Sequence, residues 1–244
     1  MSEIEITSSA PASPRVSVVI PAWNAARYLG EAISSVLVQG RVVAEIIVVD
    51  DGSDDDTAAV ALAAAPNRVK VVRAEHGGIA ATRNRGVAEA SGELIAFLDA
   101  DDLWTPRKLA LQLAALDAEP RALVLGQAEE FVSPELGAAA RARLAPKPGR
   151  MPAMVAGGLL CRREVFDTVG PFDASRAVGE AIDWFARARG LGLREVVLDE
   201  LVLRRRIHGA NFTLTHAADA KRDYLALAKA MLDRKRREKA GEPS

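Results

Sequence analysis

The chain has 244 residues, 49% of them hydrophobic, with a formal net charge of −1 and a single cysteine. Such a length suits one large α/β domain and a substantial core. Near-zero charge argues against a general nucleic-acid binder, which needs clustered Lys and Arg, and the lone Cys161 excludes a disulfide framework or a Cys-based zinc site.

Residues 1–14 mix Ser, Thr, Pro and Glu without periodicity and read as a disordered tail. They have no basic start or apolar core, so no signal peptide is expected there. No apolar run is long enough to span a bilayer, and the chain reads as soluble and cytoplasmic. Val16 to Ile20 is predicted to be a strand closed by Pro21. Leu29, Ala32, Ile33, Val36 and Leu37 then follow the i, i+3, i+4, i+7, i+8 spacing of an amphipathic helix. Glu45 to Val49 forms a second strand ending in Asp50 and Asp51, and an Ala-rich helix runs from about Asp55 to Ala65. Val69 to Val72 is a third strand and Ile79 to Ala90 a helix.

The organising stretch comes next. Leu94 to Leu98 is an uninterrupted apolar run, introduced by Ser91-Gly92, that ends in Asp99, Asp101 and Asp102. It reads as a strand buried on both faces, with carboxylates at the C-terminal end where open α/β sheets bind ligands. Crowded carboxylates repel and resist losing water. A hard divalent cation relieves both penalties, and Mg²⁺ typically takes one or two carboxylates together with phosphate oxygens. The alternative is that these residues merely cap the helix predicted to open at Thr105-Pro106, whose Leu109, Leu113 and Leu116 share a face.

The second half is less regular. Ala122 to Val132 is expected to be a strand interrupted by Gly126, and residues 133–150 a mobile excursion. Gly157-Gly158 opens a short element through Cys161, and helices are predicted over Arg162 to Thr168 and Glu180 to Arg189. Val196 to Leu203 is extended, and Ala217 to Lys239 is a terminal helix with a basic tail. Alternating strands and helices give a doubly wound, mostly parallel sheet. Its ends bring Asn24, Asp50, Asp51, Asp99 and Asp101 to one edge, and no GxGxxG dinucleotide fingerprint is present.

The segments VSVVIPAWNAARYL, EIIVVDDGSDDDT, GGIAATRNRG and GELIAFLDADDLWTPRKL together resemble the family 2 glycosyltransferases of the GT-A fold. The likeness continues more thinly through VAGGLLCRREVFDTVGPFD and VVLDELVLRRRIHGANFT to about residue 214. It implies a nucleotide-sugar half over residues 15–117, an acceptor half over 118–214, and a C-terminal helix and tail over 215–244 outside it. It also implies inverting transfer of a sugar from a nucleoside diphosphate sugar, with Mg²⁺ or Mn²⁺, to an acceptor (glycan, peptide or small molecule) that the sequence does not name. Pro21, Trp23 and Asn24 match the base and ribose pocket. Asp50 and Asp51 match the acidic pair that reads base and ribose, which would favour a UDP-sugar. Asp99-Ala100-Asp101 matches the DxD motif, with Asp101 the metal ligand and Asp99 nearer the nucleotide. Gly157 and Gly158 match a glycine loop near both sugars, and His208 a histidine approaching the metal.

One position departs from the family. Where an acidic Glu-Asp pair supplies the base, this chain reads Glu180-Ala181. Asp183 shares a helix face with Glu180 and is the first candidate for the substitute base, with Glu180 the second or the residue that places the acceptor; the plain alternative is that Asp183 is a first-turn carboxylate favoured by the helix dipole. If no carboxylate replaces the family's base, the alternative is a catalytically weak sugar-nucleotide binding protein. Arg83 is expected to bond phosphate, with Arg85 equally well a solvated helix residue. Trp104 and Trp184 are read either as sugar-stacking indoles or as core. Arg206 stands out among Arg204, Arg205 and Arg206 because it neighbours His208, while His76 and His216 have no evident partner.

Overall fold

The computed structural model describes residues 15–144, 146–176, 178–209 and 211. The expected tail over residues 1–14, His216 and the predicted helix from Ala217 lie outside them.

In chain order the elements are β1 (Val16–Ala22), α1 (Leu29–Leu37), β2 (Val43–Asp50), α2 (Thr57–Ala64), β3 (Val69–Arg73), α3 (Ile79–Glu89), β4 (Leu94–Phe97), β5 (Leu103–Trp104) and α4 (Lys108–Ala118). There follow β6 (Leu123–Val132), α5 (Ala138–Arg143), β7 (Met151–Pro152), β8 (Leu160–Arg162), α6 (Arg163–Val169), α7 (Glu180–Gly190) and β9 (Glu195–Ile207). Among the described residues the strands form one sheet in the order β3-β2-β1-β4-β8-β6-β9-β5, with β7 paired to β6. The first four strands are parallel. β8 runs antiparallel to β4, β6 antiparallel to β8, and β9 parallel to β6. The sheet is therefore mixed beyond β4, and it runs without a break through both expected halves.

Successive strand side chains point to opposite faces, so each strand feeds two cores. Val18, Ile20, Leu94 and Ala96 meet α1 and α4 on one side. Val19, Ile95 and Phe97 meet α3, α6 and α7 on the other. With both faces covered, the strands read as continuous apolar runs. Ile33, wholly buried on α1, illustrates the energetics: truncating a core Ile to Ala costs about 2–5 kcal/mol. On the opposite face, a Cβ at Gly86 would lie 2.2 Å from Val19 Cγ1. α3 thus sits directly on β1, which carries Arg83, one turn earlier, to the edge where the parallel strands end.

Several expectations are corrected. Pro21 lies within β1 and does not close it: the strand continues to Ala22, with Pro21 opposite Val49. Val19 O accepts from Leu98 N, so by two-residue alternation the missing Pro21 N–H faces the β4 side, beyond the last β1–β4 pair at Phe97. Within residues 133–150, expected to be an excursion, lies the short helix α5, which the sequence did not signal. β5 is a two-residue strand paired to β9, which reaches Ile207 and not only Leu203. Thr105-Pro106 precedes α4 without a side-chain cap; the Thr105 hydroxyl donates instead to Leu201 O. Among the described residues no helix is long and apolar enough to cross a membrane.

Candidate active site

Because β1, β2 and β4 run in parallel, their C-terminal ends bring their polar residues to one edge. The loop after β1 is stitched to the loop after β2. Asn24 adopts a positive φ of 48°, its N–H donates to Ser53 Oγ, and its side-chain oxygen accepts from Asp54 N. Trp23 is half exposed, and its ring centroid lies 4.8 Å from that of His76. His76, read from sequence as partnerless, faces Asp51 Oδ2 at 3.0 Å.

Asp50 and Asp51 are both buried but differ in task. Asp50 accepts from Ser53 N at 3.0 Å and lies 3.6 Å from Arg73 Nε. Asp51 accepts from Gly77 N at 2.9 Å on one oxygen and from Gly78 N at 3.0 Å on the other. It thereby fixes the turn that leads into α3. A cavity of about 330 Å³ adjoins it, lined in part by Arg73, Thr82 and Arg85. Arg85 itself is exposed and paired to Glu89 on its own helix.

The turn after β4 carries the three aspartates in three different settings. Asp99 pairs with Arg83. Asp101 Oδ2 lies 3.0 Å from His208 Nε2 and 3.3 Å from Asn211 Nδ2. Asp102 is buried and accepts from Arg206 N at 2.8 Å. Burial first, and the neighbouring charges of Asp101 and Asp99 second, push its carboxyl well above the ordinary range. Among the described residues no three His, Cys, Asp or Glu side chains form a metal cage. The Asp101–His208 pair offers one carboxylate and one imidazole at contact distance; Asp101 keeps part of its side chain open to solvent, while His208 is buried. That donor set suits a divalent cation completed by substrate phosphate oxygens better than a closed structural site.

Arg83 is buried beneath this turn and bridges Asp99 to Glu180, the first residue of α7. Burial opposes its charge, but Asp99 and Glu180 outweigh that and hold the guanidinium above its ordinary value. Its Nε is buried without a hydrogen-bond partner among the described residues. Asp183, on the same helix face as Glu180, receives Arg187 Nε at 2.9 Å. Ala181, where a carboxylate was expected, is packed in the apolar core on that side of the sheet.

The Gly157-Gly158 turn is held from β5 and α4. Trp104 Nε1 donates to Gly157 O at 3.1 Å, and Gln112 Nε2 donates to Gly158 O at 2.8 Å. Lys108 Nζ donates to Gln112 Oε1 at 2.6 Å and to Gly158 O at 3.2 Å. Lys108 is wholly buried, and that desolvation pushes its pKa well below the usual lysine value. A Cβ at Gly158 would stand 2.3 Å from Ala153 O, so only glycine fits there.

Both indoles prove to be core. Trp104 is buried with Lys108 Nζ over its face at 4.7 Å. Trp184 is wholly buried and stacks on Phe166 at 5.3 Å. Arg204 and Arg205 pair across to Glu129 and Glu130 of β6. Sequence reasoning missed Lys108 and Gln112, whose i, i+4 spacing was the only available signal. It also missed the separate burial of Asp102.

The sequence profile described as Glycosyl transferase family 2 matches residues 17–170. The succinoglycan biosynthesis protein ExoU of Rhizobium meliloti is 31% identical over 242 residues, covering 91% of this chain and 70% of ExoU. The Escherichia coli UDP-Glc:alpha-D-GlcNAc-diphosphoundecaprenol beta-1,3-glucosyltransferase WfgD is 37% identical over 102 residues, 41% of this chain and 40% of WfgD. A Nostoc protein named only as an uncharacterized glycosyltransferase is 43% identical over 98 residues, 39% of this chain and 30% of that protein. The chain thus spans about a third of that relative's length. Staphylococcus aureus TarS 1-349, solved in complex with UDP-GlcNAc, shares the fold with a TM-score of 0.64 at 22% identity, over 81% of this chain and 60% of TarS 1-349.

Proposed function

The chain belongs to glycosyl transferase family 2, and on that basis we propose that it transfers a sugar from a nucleoside diphosphate sugar, a UDP-sugar first among them, to an acceptor hydroxyl with inversion. The observation that carries this reading is the Asp99–Arg83–Glu180 bridge. It couples the carboxylates after β4, the donor side, to the first turn of α7, the acceptor side. The UDP-GlcNAc complex of TarS, a protein of the same fold, supports the choice of donor.

In this reading Asp50, Asp51, Pro21, Trp23 and Asn24 border the base and ribose, and Gly157 and Gly158 the sugar. Asp101 and His208 would hold Mg²⁺ or Mn²⁺, which when bound supplies Lewis-acid stabilisation of the departing diphosphate. Arg83, buried with its Nη atoms on Asp99 and Glu180, contributes its positive charge beneath the site and not a direct contact with phosphate. The acceptor oxygen bonds to the anomeric carbon from the face opposite the diphosphate. The bond from that carbon to the phosphate oxygen breaks, and its electron pair leaves with the diphosphate. The acceptor proton passes to a carboxylate of α7. Glu180 is preferred over Asp183 for this role: it shares Arg83 with Asp99, whereas Asp183 is turned to Arg187.

A second reading, a sugar-nucleotide binding protein of weak catalytic power, is favoured by one observation. Ala181 stands in the core, and both nearby carboxylates are engaged by arginine. One experiment separates the two readings. UDP-, GDP- and dTDP-sugars are screened with and without Mn²⁺ for thermal stabilisation, then for transfer and hydrolysis. A hundredfold excess over Kd raises stability by about 2.7 kcal/mol. Stabilisation with turnover supports the transferase; stabilisation without turnover supports the binding protein. No stabilisation by any nucleotide sugar removes both.

A further inference from the structure

Arg206 is a charged group, nearly wholly buried, that the proposed transfer does not use. Its guanidinium lies under the turn carrying Asp101, and the residue is 2% exposed. Nε donates to the main-chain oxygen of Asp101 at 2.8 Å. Nη1 reaches Ser133 Oγ at 3.2 Å and Nη2 reaches Glu31 Oε2 at 2.7 Å. Its own N–H donates to Asp102 Oδ1 at 2.8 Å. The plane is sandwiched between Tyr28 and Phe131, whose centroids stand 4.8 and 4.9 Å from the guanidinium carbon. Tyr28 also packs on the His208 ring, centroid to centroid 4.7 Å.

We propose that Arg206 is the positioning residue that holds Asp101 and His208 facing one another. Stability alone does not account for it. Burying a guanidinium is costly, its carboxylate partner Glu31 is largely exposed, and an apolar side chain of similar volume would fill the same space at no electrostatic cost. A planar fork supplies something an apolar residue cannot, namely several bond directions fixed at once. One direction pins the Asp101 main chain, and two others pin residues of α1 and of the loop after β6. The residue's own main chain, two positions before His208, is tied to Asp102. Strand β9 therefore cannot slide along the aspartate turn without breaking these bonds together, and the register of the Asp101–His208 pair follows. The consequence for a bound cation rests on the proposed function; the positioning of the pair does not.

The test is Arg206→Lys, with Glu31→Gln as a milder variant in which the arginine stays in place. Two readouts are used: the His208 imidazole ¹⁵N chemical shifts in the metal-free protein, and Mn²⁺ affinity in the presence of UDP by titration calorimetry. Arg206→Lys should move the His208 shifts toward those of Asp101→Ala and weaken Mn²⁺ binding tenfold or more. Glu31→Gln should move both in the same direction by less. UDP affinity without metal should stay within twofold of the parent. If Arg206→Lys does not fold, Glu31→Gln carries the same comparison. Unchanged His208 shifts in every folded variant overturn the proposal. Moved shifts in the variants, with a parent that binds no Mn²⁺, support the positioning role and remove the cation reading instead.

Discussion

Arg187 Nε donates to Asp183 Oδ2 at 2.9 Å, one turn apart on α7. The same guanidinium donates to the main-chain oxygens of Val169 and Pro171. Asp183 thus helps tie α7 to the end of α6, and a structural consequence is expected from its loss. Asp183→Asn should cost about 1.5–3 kcal/mol of stability, the range for a hydrogen bond to a charged group. It should change kcat less than tenfold. Glu180→Gln should instead lower kcat by about 10²–10⁴ with donor KM little altered. Steady-state kinetics and denaturant unfolding on both variants decide it: the reverse ranking of kcat would return the base to Asp183.

Arg83 serves two carboxylates, and that dictates how its variants should behave. Arg83→Lys keeps the charge but loses the fork, and a single ammonium cannot reproduce two bridged directions. It should remain folded and lose more than tenfold in kcat. Arg83→Ala strands a buried Glu180 and should lose about 3–5 kcal/mol. Equal kcat for parent and the lysine variant would remove the bridge from the chemistry.

Asp51 anchors the amides of Gly77 and Gly78. Asp51→Asn turns one acceptor into a donor facing an N–H. Amide exchange at Gly77 and Gly78 should accelerate, and UDP affinity should fall by about 1.5–3 kcal/mol. Faster exchange with parental UDP binding would confine Asp51 to holding the turn.

Lys108 yields a pH prediction. Its folded pKa is depressed by burial below the ordinary value of 10.5. Between the folded pKa and that value the unfolded chain binds more protons than the native protein, so stability rises with pH through that window. Above it the contribution is constant, and below the folded pKa the protein bears the full cost of a buried charge. Lys108→Met should remove this rise, so that the parent gains on the variant as pH increases. Chemical unfolding of both from neutral pH to about pH 10 measures the difference; a gap independent of pH would contradict it.

Much of the edge where the parallel strands end was legible in the chain itself. The largely apolar runs Val16 to Ile20, Glu45 to Val49 and Leu94 to Leu98 read as strands covered on both faces, from their short length, β-branched content and flanking turn residues. Parallel strands place the residues that follow them at one edge, so Asn24, Asp50, Asp51 and Asp99 converge by topology alone. Sequence likewise exposed the anomaly at Ala181. The tertiary structure decided the partners. Periodicity reports which face a residue occupies, not which distant side chain meets it there. The family resemblance paired Asp101 with His208, but nothing in the sequence showed that the adjacent Asp102 is buried against Arg206. Nor could it reveal that Arg83 joins Asp99 to Glu180, or that Asp183 is turned to Arg187. Those choices depend on the packing of α3 on β1 at Gly86 and on the register of β9 beside β6, long-range contacts that no local pattern encodes.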